Sequence, residues 1–280
     1  MSIKTILVCL NEVERVKVLL DLASAIAAKH DAHVTGLYVI PAVRVYAASD
    51  LQLTAQVFEG QRTFFKERAE KVKAAFEAMA SRQRIQAEWQ LVESPSPLVA
   101  DPAAERALQA DLVIVSQIDP DSEAGVELDF VERMIMGTGR PLLVVPREGT
   151  FGDVGRRVVI GWNATREASR AAFDAVPLLK EAEAVHVTWV DPQKSLEENG
   201  ALPGAELAQA LSRHGISAIA EGYPTSGLTS GEALLNRVSD VGADLLVMGA
   251  YGHSRLRELV LGGATRFVLQ SMTVPVLMSH

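Results

Sequence analysis

The sequence predicts an α/β protein built from two tandem, doubly wound, open parallel-sheet domains. Short runs of valine, isoleucine and leucine alternate with longer helical patterns along the chain. Strands written as continuous apolar runs are typical of a parallel sheet that helices cover on both faces. The pattern of the first half also returns in the second half. A repeat of this length indicates two copies of a whole domain, each with about five strands.

The duplication can be followed strand by strand. Ile6–Asn11 corresponds to Val158–Asn163, and a helical pattern follows each of them, at Val13–His30 and at Thr165–Glu181. The later strands correspond as well: His33–Pro41 to Val185–Pro192, Ala110–Val115 to Ala243–Met248, and Arg140–Val145 to Val274–Met278.

The predicted domains span residues 1–148 and 156–280. Between them, Pro146–Gly155 has the glycine and proline density of a linker. The first half is longer between its second and third strands, where residues 50–83 carry phenylalanines on a charged helical background. This segment predicts an amphipathic helix that covers the sheet or the neighbouring half, and a separate binding role is the alternative.

Composition and charge limit the function classes. Of the 280 residues, 48% are hydrophobic and 22% are charged, and the formal net charge is -8. An acidic chain argues against a broad nucleic-acid-binding surface and against anionic membranes. No apolar run reaches the roughly 18 residues of a membrane span. Since no signal-peptide pattern precedes the first strand, we expect a cytoplasmic protein. The one cysteine, Cys9, excludes an intramolecular disulfide framework and is expected to pack as a small hydrophobe.

The glycine-rich segment Gly249–Thr265 is the strongest candidate for a chemical site. It lies between a strand-like run and a predicted helix start. Backbone N–H groups at such a helix start, with no Cβ atoms in the way, form a cradle for phosphate groups. Ligands of open parallel sheets lie at the carboxyl ends of the strands. The predicted ligand-binding residues are Asn163, Val190, Met248, Gly249, Gly252, Gly262, Gly263, Ala264 and Thr265.

These motifs resemble the universal stress protein family, in two copies over nearly the whole chain. The family's ATP-binding signature has glycines at the spacing of Gly249, Gly252 and Gly262, followed by a small hydroxyl or amide residue. The resemblance implies an adenine-nucleotide alpha-hydrolase-like fold, with ATP, alone or with Mg²⁺, in the second domain. It also implies that Asn163 and Val190 flank the nucleoside.

Two positions of the second domain depart from the family pattern. Gly263 stands where the family has serine or threonine, so one hydroxyl contact to phosphate is missing. Asn163 stands where the family often has aspartate, and a neutral amide accepts a hydrogen bond from a ribose hydroxyl less strongly than a carboxylate does. We therefore expect weaker nucleotide binding.

The first domain departs much further from the signature. Ser116 and Asp119 replace the first two glycines, and Leu128 or Asp129 stands at the third place. Coulomb repulsion from a cluster of acidic side chains disfavours phosphates there. We predict that the first domain does not bind nucleotide. The cluster comprises Asp119, Asp121, Glu123, Glu127 and Asp129.

Several functions are compatible with the sequence. The leading hypothesis is a stress-response regulator that binds ATP or another adenine nucleotide in its second domain, and the alternative is a non-catalytic interaction module with both nucleotide sites degenerate. Slow ATPase activity is the weakest hypothesis, because no acid is placed to orient His253 beside Ser254. Arg255 and Arg257 are either phosphate ligands or solvated helix charges, and we favour the second interpretation. No metal site is predicted, since the acidic loop lacks an EF-hand pattern.

The last strand of each half, Pro141–Val145 and Pro275–Met278, raises the question of pairing. The family resemblance implies that a final strand pairs with its counterpart across a dimer axis. A tandem chain can make that pairing internally, which covers an exposed apolar edge. We therefore expect the two domains to pair within one chain, and a homodimer of whole chains is a further hypothesis.

Overall fold

The structure is a computed structural model that describes residues 2–42, 51–122, 124–191, 204–225, 227–251 and 263–280. Within these ranges it has ten strands and eight helices. The strands are β1 Thr5–Cys9, β2 His33–Ile40, β3 Ala87–Glu93, β4 Leu112–Ser116, β5 Leu142–Val145, β6 Arg157–Gly161, β7 Ala184–Val190, β8 Ala218–Tyr223, β9 Leu245–Gly249 and β10 Val276–Ser279. The helices are α1 Val13–His30, α2 Leu51–Gln83, α3 Ala100–Ala107, α4 Phe130–Thr138, α5 Arg166–Asp174, α6 Ala205–Arg213, α7 Ser230–Val241 and α8 Gly263–Ser271.

The chain divides into two compact units, Ile3–Arg140 and Pro141–His280, the latter together with the first two residues. In the first unit the strand order is β3-β2-β1-β4, and these strands are parallel. In the second unit the order is β5-β10-β9-β6-β7-β8, parallel except for β5, which runs antiparallel to β10. The order β2-β1-β4 thus returns as β7-β6-β9. The predicted duplicated α/β fold is confirmed.

The strands form where apolar residues are continuous, because both faces of each central strand are buried. Ile6 and Val8 of β1 have no exposed surface, and the same holds for Val158, Val159 and Ile160 of β6. Burying a side chain of this size contributes roughly 1.5–3 kcal/mol relative to leaving it in water. The two central strands, β1 and β6, therefore fix the position of the residues that directly follow them at the carboxyl edge of each sheet.

The helix predicted over residues 50–83 is observed as α2 and covers the sheet of its own unit. Phe76 is 2% exposed and packs on β2, where a Cβ added to Gly36 would lie 2.5 Å from the Phe76 ring. Ala69 and Val72 are buried on the same face. Phe76 therefore marks core packing in the second half of this helix, whereas Phe64 is 40% exposed.

The helix predicted over Thr165–Glu181 is wrong in its second half, since α5 ends at Asp174 and the backbone continues in turns. Pro177 explains the difference. Proline has no N–H to donate, and it disfavours helical geometry in the residue before it. In contrast, α1 spans Val13–His30 as predicted.

Cys9 ends β1 and is 6% exposed. Burial raises the pKa of its thiol to about 12, so the side chain is neutral and packs as a hydrophobe, as predicted. None of the helices in the described part of the chain is long and apolar enough to cross a membrane.

Candidate functional site

Three neighbouring strands of the second unit end at one edge of its sheet. The register pairs Gly161 of β6 with Met248 of β9 on one side and with Thr188 of β7 on the other. Val190 ends β7, and the exposed Asn163 follows β6. The structure thus brings Asn163, Val190 and Met248 to the same carboxyl edge.

Gly249 ends β9, and helix α5 fills the space beside its Cα. A Cβ added here would lie 2.4 Å from the Ala168 nitrogen and 2.5 Å from the Glu167 carbonyl carbon. Both are backbone atoms, so no rotamer change can relieve the contact. The first glycine of the signature is therefore required by the packing of α5 on β9, with or without a ligand.

The start of α8 is open with respect to the residues that the structure describes. Gly263 is exposed, and none of their atoms lies within 4 Å of a Cβ built on it. Helix α8 has no acidic residue in its first turn, whereas α5, α6 and α7 each carry a glutamate there. Gly231 lets α7 approach α8 closely, since a Cβ added to Gly231 would lie 3.1 Å from the Ala264 carbonyl oxygen. The positive end of the α8 dipole is thus left without a carboxylate from its own first turn.

The other predicted residues differ in exposure. Ala264 is half-buried and Thr265 is 4% exposed, so the Thr265 hydroxyl does not lie on the surface of the unit. The remaining candidates lie outside the described residues: Gly252, His253, Ser254, Arg255, Arg257 and Gly262, and Glu123 of the first unit.

A hydrogen-bond chain fixes the orientation of Asn163. Its Oδ1 accepts the backbone N–H of Thr165 at 3.3 Å and the Thr165 hydroxyl at 2.9 Å. Thr165 Oγ1 in turn caps α5 by accepting the Ala168 N–H at 3.3 Å. Thr165 is not among the predicted site residues, although a threonine just before a helical pattern is a known helix-start signal.

Asp191 follows Val190 and bridges the ends of β7 and β8. Its two carboxylate oxygens accept the backbone N–H of Thr225 at 2.9 Å and the Thr225 hydroxyl at 2.7 Å. The backbone hydrogen bond, followed by the hydroxyl bond, holds the pKa of Asp191 below its ordinary value. These bonds join the two strand ends directly after Val190.

Three non-glycine residues at this edge have a left-handed backbone conformation. Ala164, Asp191 and Tyr251 have φ of 55°, 52° and 56°, and each follows one of the three strand ends. Such a conformation costs a residue other than glycine roughly 1–2 kcal/mol. In the described part of the first unit, the non-glycine residues with positive φ are Asp31 and Arg84, both at helix ends. Strain of this kind is concentrated at functional sites of proteins.

The corresponding edge of the first unit is tied together by its own side chains. Asn11 is 8% exposed, and its Nδ2 donates to the Val39 carbonyl oxygen at 3.0 Å, which joins the ends of β1 and β2. Arg15 Nε donates to Ser116 Oγ at 2.9 Å, which joins the start of α1 to the end of β4. The cleft that remains lies between α1 and the loop after β4, and Cys9, Asn11, Arg15 and Ser116 line it.

Glu127 closes the first unit's loop onto helix α3. This carboxylate is 8% exposed and accepts the backbone N–H groups of Val99 at 2.9 Å and Ala100 at 2.8 Å. It thereby caps a helix whose own N-cap side chain makes no hydrogen bond. From the sequence, Glu127 is only one of the charges that repel phosphate. No local signal links it to α3, because the partners are 27 and 28 residues away.

Two further acids of this loop are also engaged, Asp129 and Asp119. Asp129 pairs with Arg133 at 2.8 Å, and Asp119 accepts the backbone N–H of Asp121 at 3.1 Å. Gly125, with φ of 72°, packs against Phe65 of α2, where an added Cβ would lie 2.7 Å from the ring. The loop is thus held by helices of its own unit.

A separate polar cluster lies on β7, β8 and α7. Arg237 donates from Nε and Nη2 to the two oxygens of Glu221 at 2.6 and 2.7 Å. Thr188 donates to Glu221 at 3.0 Å, and His186 Nδ1 lies 3.3 Å from it. Burial by itself raises the pKa of Glu221, but the hydrogen bonds from Arg237 and Thr188 and the charge of Arg237 bring it below its ordinary value.

Comparison with known proteins gives a consistent family. The model of the universal stress protein family matches residues 2–138 and 155–280. A universal stress protein of Synechocystis sp. is 50% identical over 46 residues, which are 16% of each protein. A crystal structure of a universal stress protein from Archaeoglobus fulgidus DSM 4304 aligns with TM-score 0.64 at 16% identity, over 98% of this chain and 95% of that chain.

Two further solved structures align with this chain, the first over nearly its whole length and the second over about half of it. A functionally unknown protein from Pseudomonas aeruginosa PAO1 aligns with TM-score 0.59 at 16% identity, over 99% of this chain and 92% of that one. Another solved universal stress protein, 18% identical over 53% of this chain and all of its own, is a complex with cAMP. The TM-score of that alignment is 0.31.

Proposed function

The chain belongs to the universal stress protein family, whose domain it contains twice, and we propose that it is a stress-response regulator that binds ATP or another adenine nucleotide in its second unit. The open start of α8 carries the proposal. Gly263 leaves room for a ligand beside the helix N-terminus, and no acid of the first turn opposes an anion there. The half-buried Val190 offers apolar surface beside β6 that suits a base, whereas Met248 is 5% exposed and packs in the core.

The proposed site is asymmetric, with one nucleotide per chain. In the first unit the edge that corresponds to it is bridged by hydrogen bonds of Asn11, Arg15 and Glu127. A ligand would have to break hydrogen bonds whose partners are largely buried, at a cost of roughly 1–3 kcal/mol for each group left unsatisfied.

The test is a calorimetric titration of Mg-ATP onto nucleotide-free protein, after denaturation of a fresh sample to identify any small molecule that it retains. We expect one ATP per chain and no phosphate release over hours. Two sites per chain would contradict the assignment of the first unit, and the absence of binding at millimolar ATP would contradict the proposal as a whole.

Gly263→Val locates the site. A Cβ at Gly263 meets no atom of the described residues, so the variant should keep its thermal stability while the added methyl groups fill the cradle and weaken ATP binding at least tenfold. Gly152→Val is the matched control, since Gly152 also has no atom within 4 Å of an added Cβ and lies far from α8 in sequence. Equal ATP affinity in the two variants would place the ligand elsewhere.

The alternative is a non-catalytic interaction module with both nucleotide sites degenerate. One observation favours it: the packing of α5 already accounts for Gly249, so this part of the signature does not require a ligand. Binding of a partner protein by variants that have lost ATP binding would support the alternative.

Strands β5 and β10 pair within the second unit. Pairing of the two domains as a whole, and a homodimer of whole chains, remain predictions. Light scattering during size-exclusion chromatography distinguishes the 30.2 kDa monomer from a dimer of twice that mass. Location in the cytoplasm is likewise a prediction, and fractionation of cells that express the protein tests it.

A further inference from the structure

Asn163 presents a hydrogen-bond donor where an aspartate would present an acceptor. A backbone N–H can only donate, so the atom of Asn163 that faces Thr165 is the amide oxygen. The Thr165 hydroxyl accepts from Ala168 and gives its own proton to the same oxygen. The Nδ2 group of this exposed side chain has no hydrogen-bond partner among the residues that the structure describes.

The strand order places this donor next to the sugar of a bound nucleotide. Phosphates at the start of α8 lie beyond β9, and a base against Val190 lies at β7. Strand β6 runs between these two strands, and Asn163 follows it. Because the sugar links the base covalently to the phosphates, it must cross the middle strand.

We propose that Asn163 is a specificity-determining residue that directs the site to nucleotides whose ribose carries a phosphate oxygen at its 2′ or 3′ position. The proposal rests on the function proposed above. An N–H donor forms a charge-assisted bond with a phosphate oxygen, which is roughly twice as strong as its neutral bond with a hydroxyl. A carboxylate at the same position would repel the phosphate oxygen and would bind the free ribose diol more strongly.

Asn11 provides the internal comparison. It stands at the corresponding place in the first unit, but its Nδ2 is buried and donates to the Val39 carbonyl oxygen. The same residue type at the same strand end therefore offers a donor to a ligand in the second unit alone.

The experiment measures the affinities of adenosine 5′-monophosphate and adenosine 3′,5′-bisphosphate for the intact chain by calorimetry. We expect the unmodified protein to bind the bisphosphate about fivefold more tightly or better, and Asn163→Asp to reverse the order. Asn163→Asp is nearly isosteric, and its inner oxygen can still accept both bonds from Thr165. Asn163→Ala measures the preference that the extra phosphate causes by itself, and Asn11→Asp should leave both affinities unchanged.

A second readout is the side-chain amide signal of Asn163 in ¹H–¹⁵N spectra, assigned by its loss in Asn163→Asp. It should shift with the bisphosphate more than with the monophosphate. If both ligands bind and Asn163→Asp keeps the original order, this inference is overturned while the proposed function stands. If neither ligand nor ATP binds to the unmodified protein, both fail.

Discussion

The two units hold the start of a corresponding helix in opposite ways. In the first unit, Glu127 reaches from the loop after β4 to the backbone N–H groups at the start of α3. In the second unit, α7 is capped locally, by Thr229 and Glu232 of its own first turn. The loops 117–129 and 250–262 are of equal length, so Val260 takes the place of Glu127 in the sequence. A valine side chain cannot accept a hydrogen bond, so this position cannot supply the same tie between loop and helix.

This difference shows that a duplicated domain can keep its fold while its two copies differ at the edge where a ligand site is proposed. The first unit satisfies its own buried polar groups with Asn11, Arg15 and Glu127. The second unit leaves the start of α8 open and concentrates strained backbone at its carboxyl edge. A region that is incomplete by itself is where a ligand can contribute free energy.

The largest expected effect on stability comes from substitutions at the last residue of β9 and of β4, and it should differ between the two units. Gly249→Ala places a Cβ within 2.5 Å of backbone atoms of α5, and such overpacking should lower the free energy of unfolding of the second unit by about 3 kcal/mol. Ser116→Ala in the first unit loses only a hydroxyl and should cost about 1 kcal/mol. Urea unfolding checks this, with Trp89 reporting on the first unit and Trp162 and Trp189 on the second. Equal losses would show that Gly249 is not a packing residue.

The next prediction concerns the helix caps. Glu127→Ala leaves the N–H groups of Val99 and Ala100 unsatisfied and should destabilise the first unit by about 2 kcal/mol. Glu232→Ala, in the exposed capping box of the second unit, should cost less. Hydrogen exchange at Val99 and Ala100 should accelerate only in Glu127→Ala, and unchanged protection there would contradict the cap.

The ion pairs of the two units should differ in how much they stabilise the fold and in how that stabilisation depends on pH. Arg237→Gln removes both hydrogen bonds to the partly buried Glu221 and should cost the second unit about 2 kcal/mol at pH 7. The exposed pair of Arg62 and Glu93 gives the control, since Arg62→Gln should cost less than about 1 kcal/mol.

The sign of the pH effect follows from the lowered pKa of Glu221. The pair stabilises the fold above the unfolded pKa of glutamate, about 4.3, and this contribution is lost as the pH falls through the folded pKa. The difference in the free energy of unfolding between the unmodified protein and Arg237→Gln should therefore become smaller below about pH 4.3. A gap that is constant from pH 7 to pH 3 would rule out this ionisation as its cause.

The smallest expected effect compares the two asparagines. Asn11→Ala removes a buried hydrogen bond between strand ends and should cost about 1 kcal/mol. Asn163→Ala removes an exposed side chain and should stay within about 0.5 kcal/mol. Thermal unfolding of both variants is sufficient, and a larger loss in Asn163→Ala would mean that its bonds to Thr165 support the fold.

Much of the architecture could be predicted from local pattern. The apolar runs predicted the strands, and the glycine segment predicted an open helix start, because strand burial and helix starts depend on neighbouring residues. The end of α5 was misplaced because the helical pattern was followed past Pro177. The role of Glu127 could not be predicted, since it depends on a contact across 27 residues.

By itself, the sequence determined the duplicated α/β fold, the family and the place where a ligand is expected. Periodicity, chain order and glycine spacing depend on neighbouring residues, so they can be read directly from the sequence. The tertiary structure alone decided what these residues contact: the backbone of α5 lies against Gly249, Glu127 caps α3, and the amide oxygen of Asn163 accepts hydrogen bonds from Thr165. Such roles arise from contacts between distant segments, and hydrogen-bond direction is fixed only when both partners are in place.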